Sequence, residues 1–173
     1  TPTPPAGIGT ETSLIDLDTG QVTPLPKNIS RVNPPVSPDG TMVAYATPDD
    51  AGRWQLFIAS RDGTDVQQVT HGRREARAPD WSPGGTALVY HASGQGDVTN
   101  IFVLDLATGE TRQVTNYKQP FSADAPQFSP DGASIIYDLH REASIGLRIV
   151  PVTGGKTFAL KTAGLLSLMA QAA

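Results

Sequence analysis

The sequence contains no cysteine in its 173 residues. This absence excludes disulfide scaffolds, thiolate zinc sites and cysteine nucleophiles, but it leaves the compartment open because exported proteins also exist without disulfides. The sequence also lacks any run of about 18 apolar residues, so no segment is long enough to form a membrane-spanning helix. Basic residues are fewer than acidic ones, 13 against 17, and the formal net charge is -4. A general nucleic-acid partner is therefore not expected.

Glycine and proline are abundant, with 17 and 15 residues respectively. This composition favours many turns and short strands. The chain is long enough for one domain of ordinary size or for part of a larger one.

A repeat organises the chain. The segments 36–45, 81–90 and 128–137 align without gaps, at spacings of 45 and 47 residues. Each carries a Ser-Pro-x-Gly core and ends at tyrosine, with Val36 and Gly84 as departures from the pattern of the other copies. The motif residues are Ser37, Pro38, Asp39 and Gly40, then Trp81, Ser82 and Pro83, then Phe128, Ser129, Pro130, Asp131 and Gly132.

Each part of the repeat predicts a structural element. Ser-Pro favours an extended end of a first strand, and Asp-Gly favours a tight turn, which together indicate a hairpin. The second strand alternates, as in Val43 and Tyr45, which predicts a half-buried strand. Trp81 and Phe128 are expected to pack between blades. Third strands are predicted over 55–59, 100–104 and 146–150, and fourth strands over 66–70, 111–115 and 156–160.

Four-stranded antiparallel units that repeat every 40 to 50 residues are typical of a β-propeller. The core Pro-x-[Trp/Phe]-Ser-Pro-Asp-Gly-x-x-[Ile/Leu/Val]-x-Tyr resembles the TolB-like propeller repeat, which also occurs in the propeller domains of prolyl-oligopeptidase-type and tricorn-type peptidases. The resemblance implies an all-β fold of three full blades and a half blade. The expected divisions are a Pro/Thr-rich linker at 1–11, a half blade at 12–25, blades at 31–70, 76–115 and 123–160, and a tail at 161–173.

Three and a half blades do not close a ring. Three arrangements stay open: the remainder of a longer chain completes the propeller, a second copy of the chain shares the ring as a homodimer, or the chain forms an irregular four-bladed ring. The first needs no special device to cover an exposed blade face.

The variable loops are expected on one face of the propeller, where a rigid scaffold usually presents binding residues. Eight of the 13 basic residues lie in or beside these loops, and 71–77 is the densest run. Such residues suit a carboxylate or an acidic partner segment. The alternative is a solvated loop, because acidic residues on the same face nearly cancel the charge. The candidate binding residues are His71, Arg73, Arg74, Arg77, Arg53, Tyr117, Lys118 and Arg141.

The histidines indicate neither a metal centre nor a catalytic site. No pair has helical metal-ligand spacing, although the repeat can bring His91, Asp138 and His140 together near the central axis. No metal and no cofactor are predicted. A Gly-x-Ser-x-Gly elbow, a phosphate-binding loop and a His-Glu-x-x-His helix are all missing from the sequence.

Two functions follow from the resemblance. The first is a non-enzymatic scaffold that binds a protein or peptide in the periplasm or outside the cell. The alternative is an accessory propeller of a hydrolase whose catalytic domain lies elsewhere. A carbohydrate-active propeller would need clustered exposed aromatic residues, and only Tyr117 and Phe121 qualify.

Overall fold

A computed structural model describes residues 13–15, 20, 22–24, 35–93 and 98–160. The expected linker at 1–11 and tail at 161–173 lie outside these residues. The described part of the chain forms β-strands and contains no helix that could cross a membrane. The strands are β1 (Ser13–Ile15), β2 (Val22–Pro24), β3 (Met42–Pro48), β4 (Trp54–Ser60), β5 (Gln67–Gln68), β6 (Ala76–Trp81), β7 (Ala87–Ser93), β8 (Thr99–Asp105), β9 (Thr111–Gln113), β10 (Phe121–Phe128), β11 (Ser134–Arg141), β12 (Ser144–Pro151) and β13 (Phe158–Ala159).

The strands form antiparallel sheets in chain order. We call β3–β5 blade 1, β6–β9 blade 2 and β10–β13 blade 3, while β1 and β2 form a separate pair. This arrangement confirms the all-β fold of a partial propeller. At the place of the innermost strand of blade 1, the described residues form a bridge between Val36 and Val43 and a hydrogen bond from the Ala44 amide to the Pro35 carbonyl (3.0 Å).

The Ser-Pro-x-Gly motif closes the first hairpin of each blade. Gly40 donates its amide to the Ser37 carbonyl (2.8 Å) and has φ +75, a conformation that glycine adopts without strain. The Ser37 hydroxyl donates to Asp39 Oδ1 (2.6 Å) and accepts from the Met42 amide (2.9 Å). The hydrogen bond from the Ser37 hydroxyl, together with those from the amide and hydroxyl of Thr41, holds the pKa of Asp39 below its usual value.

The core lies between the blades. At the first interface, between blades 1 and 2, Trp81 is buried and its indole N–H donates to the Pro35 carbonyl (3.0 Å). At the second interface, between blades 2 and 3, the Phe128 amide donates to Asp80 Oδ2 (2.9 Å). Buried residues of the first interface are Ala44, Ala46, Leu56, Ala76, Trp81, Leu88, Tyr90, Ala92, Phe102 and Leu104. Those of the second are Val89, Ile101, Val114, Ala123, Ile135, Tyr137, Leu139 and Val150.

The prediction of half-buried second strands is wrong for β3 and β7. Four successive residues of β3, 43–46, are each no more than 3% exposed. In β7, Leu88 and Tyr90 face blade 1, while Val89 packs toward blade 3. Neighbours on both sides of a blade remove the solvent-facing side that an alternating pattern implies. The fourth strands are also shorter than predicted, two or three residues each.

A β-bulge interrupts β6 and β10 at equivalent places. The pairing register shifts between Arg77 and Asp80 in β6 and between Asp124 and Gln127 in β10. Ala78 has a φ of 49 within the first of these bulges, and Ala125 a φ of 47 in the second. A bulge re-aims the side chains beside it. In both strands, the side chains before the bulge therefore do not continue the alternation of those after it.

Candidate functional site

The connections between blades lie at the end of the sheets opposite the glycine turns. We call this end the loop-bearing face. It includes segments 70–75 and 115–120, which lead into β6 and β10, and the loops after β3 and β11. The stereotyped turns at Gly40, Gly63 and Gly109 lie at the other end.

A buried amide anchors the first connection. Gln55, at the start of β4, is fully buried, and its Oε1 accepts from the Thr70 hydroxyl (2.8 Å). Its Nε2 donates to the carbonyls of Arg74 (2.9 Å) and Gly72 (3.4 Å). Because a buried amide left without partners is costly, these bonds fix the path of the chain up to Arg74.

Blade 2 repeats this anchor. Asn100 Oδ1 accepts from the Thr115 hydroxyl (3.0 Å) and from the Tyr117 amide (2.6 Å). Its Nδ2 donates to the Tyr117 carbonyl (3.2 Å). The backbone that carries Lys118 is therefore held in the same way as that of Arg74.

The repeat motif does not predict these anchors, although the sequence carries a signal for them. The triplet Gln-Val-Thr at 68–70 and 113–115 ends both outer strands, and in each the glutamine Nε2 donates to the threonine carbonyl at 2.7 Å. In blade 3, strand register places Gly146 where the other blades have Gln55 and Asn100. That position in blade 3 has no side-chain amide.

A groove begins at the first interface beside these anchors and extends along blade 2, reaching Gly109 in one direction and Gln119 in the other. It consists of two adjoining cavities of about 360 and about 500 Å³ that share Arg74, Ala92 and Phe102. The smaller is also lined by Val98, Asn100, Gln113, Asn116, Tyr117, Lys118 and Gln119. The larger is also lined by Gln55, Val69, Thr70, His71, Arg73, Ala76, Tyr90, Gly109 and Thr111. Five of the candidate binding residues, those at 71, 73, 74, 117 and 118, thus line one groove.

Aromatic rings form the floor at the centre of the groove. The guanidinium of Arg74 lies over the Phe102 ring, with Cζ 5.4 Å from the ring centroid. Phe102 stacks on Tyr90, with ring centroids 5.7 Å apart. Burial raises the pKa of Tyr90 against the opposing effects of a hydrogen bond with Thr111 and the charge of Arg74, so its hydroxyl is neutral at ordinary pH.

Arg53 and Arg77 do not line the groove. Arg53 Nε lies 3.5 Å from Asp49 Oδ2, within its own loop. Arg77 donates to Glu75 Oε2 (3.0 Å), and its guanidinium covers the Trp54 ring at 3.9 Å. Arg53 thus pairs within its own loop, and Arg77 packs across the first interface.

Arg141 lies outside the groove, and Tyr117 lines it while packing toward blade 3. The Arg141 guanidinium lies over the Phe121 ring, 5.4 Å from its centroid. The Tyr117 hydroxyl bonds to that of Tyr137 at 2.7 Å. The pKa of Tyr137 rises, above all because of burial.

A polar cluster crosses the second interface around Asp124. The Thr99 hydroxyl donates to Asp124 Oδ1 (2.6 Å) and also contacts the Ser122 hydroxyl. His91 Nδ1 lies 3.6 Å from Oδ1, and His140 Nε2 lies 3.5 Å from Oδ2. The repeat thus places both histidines near one carboxylate, that of Asp124, whereas the sequence had suggested Asp138. Among the described residues no group of three or more histidine and acidic side chains is arranged to hold a metal ion.

His91 is neutral in this cluster. The Ala125 amide donates to His91 Nδ1 (3.3 Å), so that nitrogen acts as an acceptor. Burial lowers the pKa of His91, and the nearby charge of Asp124 opposes this only in part, while Arg77 adds to it. The contact between His91 and Asp124 is therefore no salt bridge at neutral pH.

Comparison with known families agrees with the blade geometry. The family model described as the TolB beta propeller domain matches residues 46–165, more than half of the chain. The chain belongs to the TolB β-propeller domain family. The expected family and the observed fold are thereby both confirmed.

Curated relatives come from two functional settings. The chain is 32% identical over 104 residues to the Tol-Pal system protein TolB of Alcanivorax borkumensis, which covers 59% of this chain and 24% of that protein. It is 29% identical over 113 residues to the uncharacterized peptidase YuxL of Bacillus subtilis, which covers 62% of this chain and 17% of that protein. The chain therefore spans less than a quarter of the length of either relative.

A solved structure shows the same fold. A putative TolB from Agrobacterium tumefaciens superposes with a TM-score of 0.70 at 19% identity, over 81% of this chain and 52% of that one. At this identity the likeness concerns the fold alone. Since propellers serve many functions, the fold does not define the function.

Proposed function

We propose that this TolB-family propeller is a non-catalytic scaffold that binds a protein or peptide partner on its loop-bearing face, in the periplasm or outside the cell. The observation that carries the proposal is the groove at the first interface, where cationic side chains line a cleft with an aromatic floor. Rigid scaffolds commonly present binding residues on such connections. The likeness to a Tol-Pal system protein supports a partner protein and an envelope location.

Peptide display on the whole chain tests this function. A library of random peptides is selected against the immobilised chain, and enriched peptides are then incubated with it and analysed by mass spectrometry. We expect enriched peptides that bind reversibly and keep their mass. Peptides that are cleaved, or a selection without enrichment, would contradict a non-catalytic peptide-binding scaffold.

The second candidate function is an accessory propeller of a hydrolase. The peptidase relative from Bacillus subtilis is the observation that favours it. In this case the native polypeptide carries a catalytic domain beside the propeller. Labelling of the native protein with a fluorophosphonate probe distinguishes the two, because a serine hydrolase reacts covalently and a scaffold does not.

A further inference from the structure

The groove at the first interface has two chemically different parts. Its floor consists of Ala92, Phe102 and Tyr90, which are buried apolar and aromatic residues. Its rim carries the exposed cations of Arg73, Arg74 and Lys118. A ligand that fills this groove therefore needs apolar groups beside anionic ones.

The rim cations differ in their partners from two other arginines of the same face. Arg53 and Arg77 lie beside Asp49 and Glu75. Within the described ranges, no carboxylate lies within salt-bridge distance of Arg73, Arg74 or Lys118. The rim thus offers positive charge that the neighbouring described side chains leave uncompensated.

Arg74 is the arginine at the centre of this rim. The residue is exposed, its Cζ lies 5.4 Å from the centroid of the Phe102 ring, and none of the ion pairs among the described residues involves it. A guanidinium edge binds a carboxylate through two parallel hydrogen bonds. A compact ammonium, such as that of Lys118, adds charge without this geometric requirement.

Hydrogen bonds within the chain fix the backbone next to both cations without a ligand. Gln55 holds the carbonyl of Arg74, and Asn100 holds the amide and carbonyl of Tyr117, next to Lys118. Gln55 and Asn100 are buried residues at the starts of β4 and β8. Such pre-organisation reduces the ordering entropy lost on binding.

We infer that this groove binds an extended, acidic segment of a partner polypeptide, with a carboxylate at Arg74 and Lys118 and an adjacent aliphatic side chain in the cavity beside Phe102. The inference rests on the proposed function and specifies its ligand. A peptide fits better than an acidic oligosaccharide, because Tyr90 and Phe102 are buried and offer no exposed ring face to a sugar. The two cavities, about 360 and about 500 Å³, have room for side chains on either side of Arg74.

The test uses an acetylated peptide of alternating glutamate and leucine as the probe. The comparison ligands are the same peptide with glutamine in place of glutamate and an acidic oligosaccharide, sodium oligogalacturonate. Binding is followed by the amide chemical shifts of the isotope-labelled chain. We expect saturable shifts at residues that line the groove, including Arg74 and Phe102. The glutamine peptide and the oligosaccharide should each bind at least about tenfold more weakly, as the loss of a charge-assisted contact or of the apolar contact predicts.

Substitutions test whether the chemical shift changes come from binding in the groove. Arg74→Ala and Lys118→Ala should each weaken binding of the glutamate peptide at least about fivefold, and Arg74→Lys should weaken it less than Arg74→Ala. Lys156→Ala is the matched control, since it removes one exposed charge beside the glycine turn of blade 3. It should leave affinity unchanged. Unchanged melting temperatures show that the exposed variants remain folded.

The remaining outcomes separate the inference from the proposed function. Peptides that bind with shifts away from the groove, or equally to all variants, overturn the inference and leave a peptide-binding scaffold in place. Preference for oligogalacturonate at the groove overturns the inference and the peptide partner together. If neither peptide changes the amide chemical shifts, the inference is overturned. The display selection then decides the proposed function on its own.

Discussion

The two interfaces between blades meet the same packing requirement with different chemistry. At the first, the neutral carbonyl of Pro35 accepts a hydrogen bond from the Trp81 indole. At the second, the carboxylate of Asp80, one residue before that tryptophan, accepts from the Phe128 amide. The repeat therefore fixes where a polar atom must be satisfied across the interface, but not whether that atom can ionise.

Ionisation makes the second interface sensitive to pH. Burial raises the pKa of Asp80, while it lowers that of His91. Both pKa shifts arise because burial disfavours the charged form of a group taken out of water. The four predictions that follow begin with the largest expected effect on the free energy of unfolding.

Truncation of the aromatic residues should produce the largest difference in stability between the two interfaces. Trp81→Ala removes a buried indole and its hydrogen bond, and it should lower the free energy of unfolding by about 3–5 kcal/mol. Phe128→Ala removes a half-buried ring and should cost about 1–2 kcal/mol. Urea denaturation measures both. A loss below about 1 kcal/mol for Trp81→Ala would refute its role as the main contact of the first interface.

Removal of the anchors should affect both interfaces alike. Gln55→Leu deprives the Thr70 hydroxyl and the Arg74 carbonyl of a partner, and Asn100→Leu does the same at Thr115 and Tyr117. We expect each change to lower the free energy of unfolding by about 1–3 kcal/mol. Denaturation of the two variants side by side checks this. A loss at only one of them would mean that the two connections are not equivalent.

The hairpin turn of blade 2 lacks the aspartate that the turns of blades 1 and 3 contain. Gly84→Asp supplies an acceptor for the Ser82 hydroxyl, by analogy with the bond from Ser129 to Asp131 (2.6 Å). A Cβ at Gly84 meets only Thr86 Oγ1 at 3.9 Å. Thermal melting should show a gain of about 0.4–1 kcal/mol.

Gly85→Asp is the control for that turn, because Gly85 has φ +69 and an aspartate there is strained. It should destabilise the chain. Equal effects of the two substitutions would contradict the proposed turn chemistry.

The smallest effect concerns the pH dependence of the second interface. Because the pKa of His91 is depressed in the folded chain, its contribution is complete above the ordinary value of 6.5 and is lost as the pH falls through the folded value. His91→Gln should therefore lose less stability than the parent chain between about pH 7.5 and about pH 5.5. Urea midpoints at both pH values measure the difference.

Asp124 and Arg77 act on His91, while His140 lies beside Asp124 and Asp138 is the strand partner of Asp124. All four residues are retained in that variant. The raised pKa of Asp80 acts in the opposite sense, since its contribution is lost as pH rises, and it is common to both proteins. Identical pH profiles would contradict the assignment to His91.

The repeat motif allowed much of the fold to be predicted. Ser-Pro-Asp-Gly places the first turn of each blade because proline and glycine restrict the backbone locally. The burial of β3 and β7 on both faces could not be predicted in this way. It depends on neighbouring blades, and small residues such as Ala44 and Ala46 look alike at a half-buried and a fully buried position.

The candidate site was predicted only in its composition. Arg74 and Arg77 are three positions apart in one basic run, yet one lines the groove and the other covers Trp54. Their directions depend on the Gln55 anchor and on the bulge after Arg77, which involve residues distant in sequence or an irregular register. Charge counting detects neither feature.

The paired anchors have a consequence for how such a chain can change. Gln55 and Thr70 lie outside the segment 71–74 that they hold, as Asn100 and Thr115 lie outside 116–119. New sequences can therefore be grafted between fixed ends without rebuilding the blades. The blades and the segments between the anchors are separate parts of the sequence, so that these segments can diverge while the blades are inherited intact.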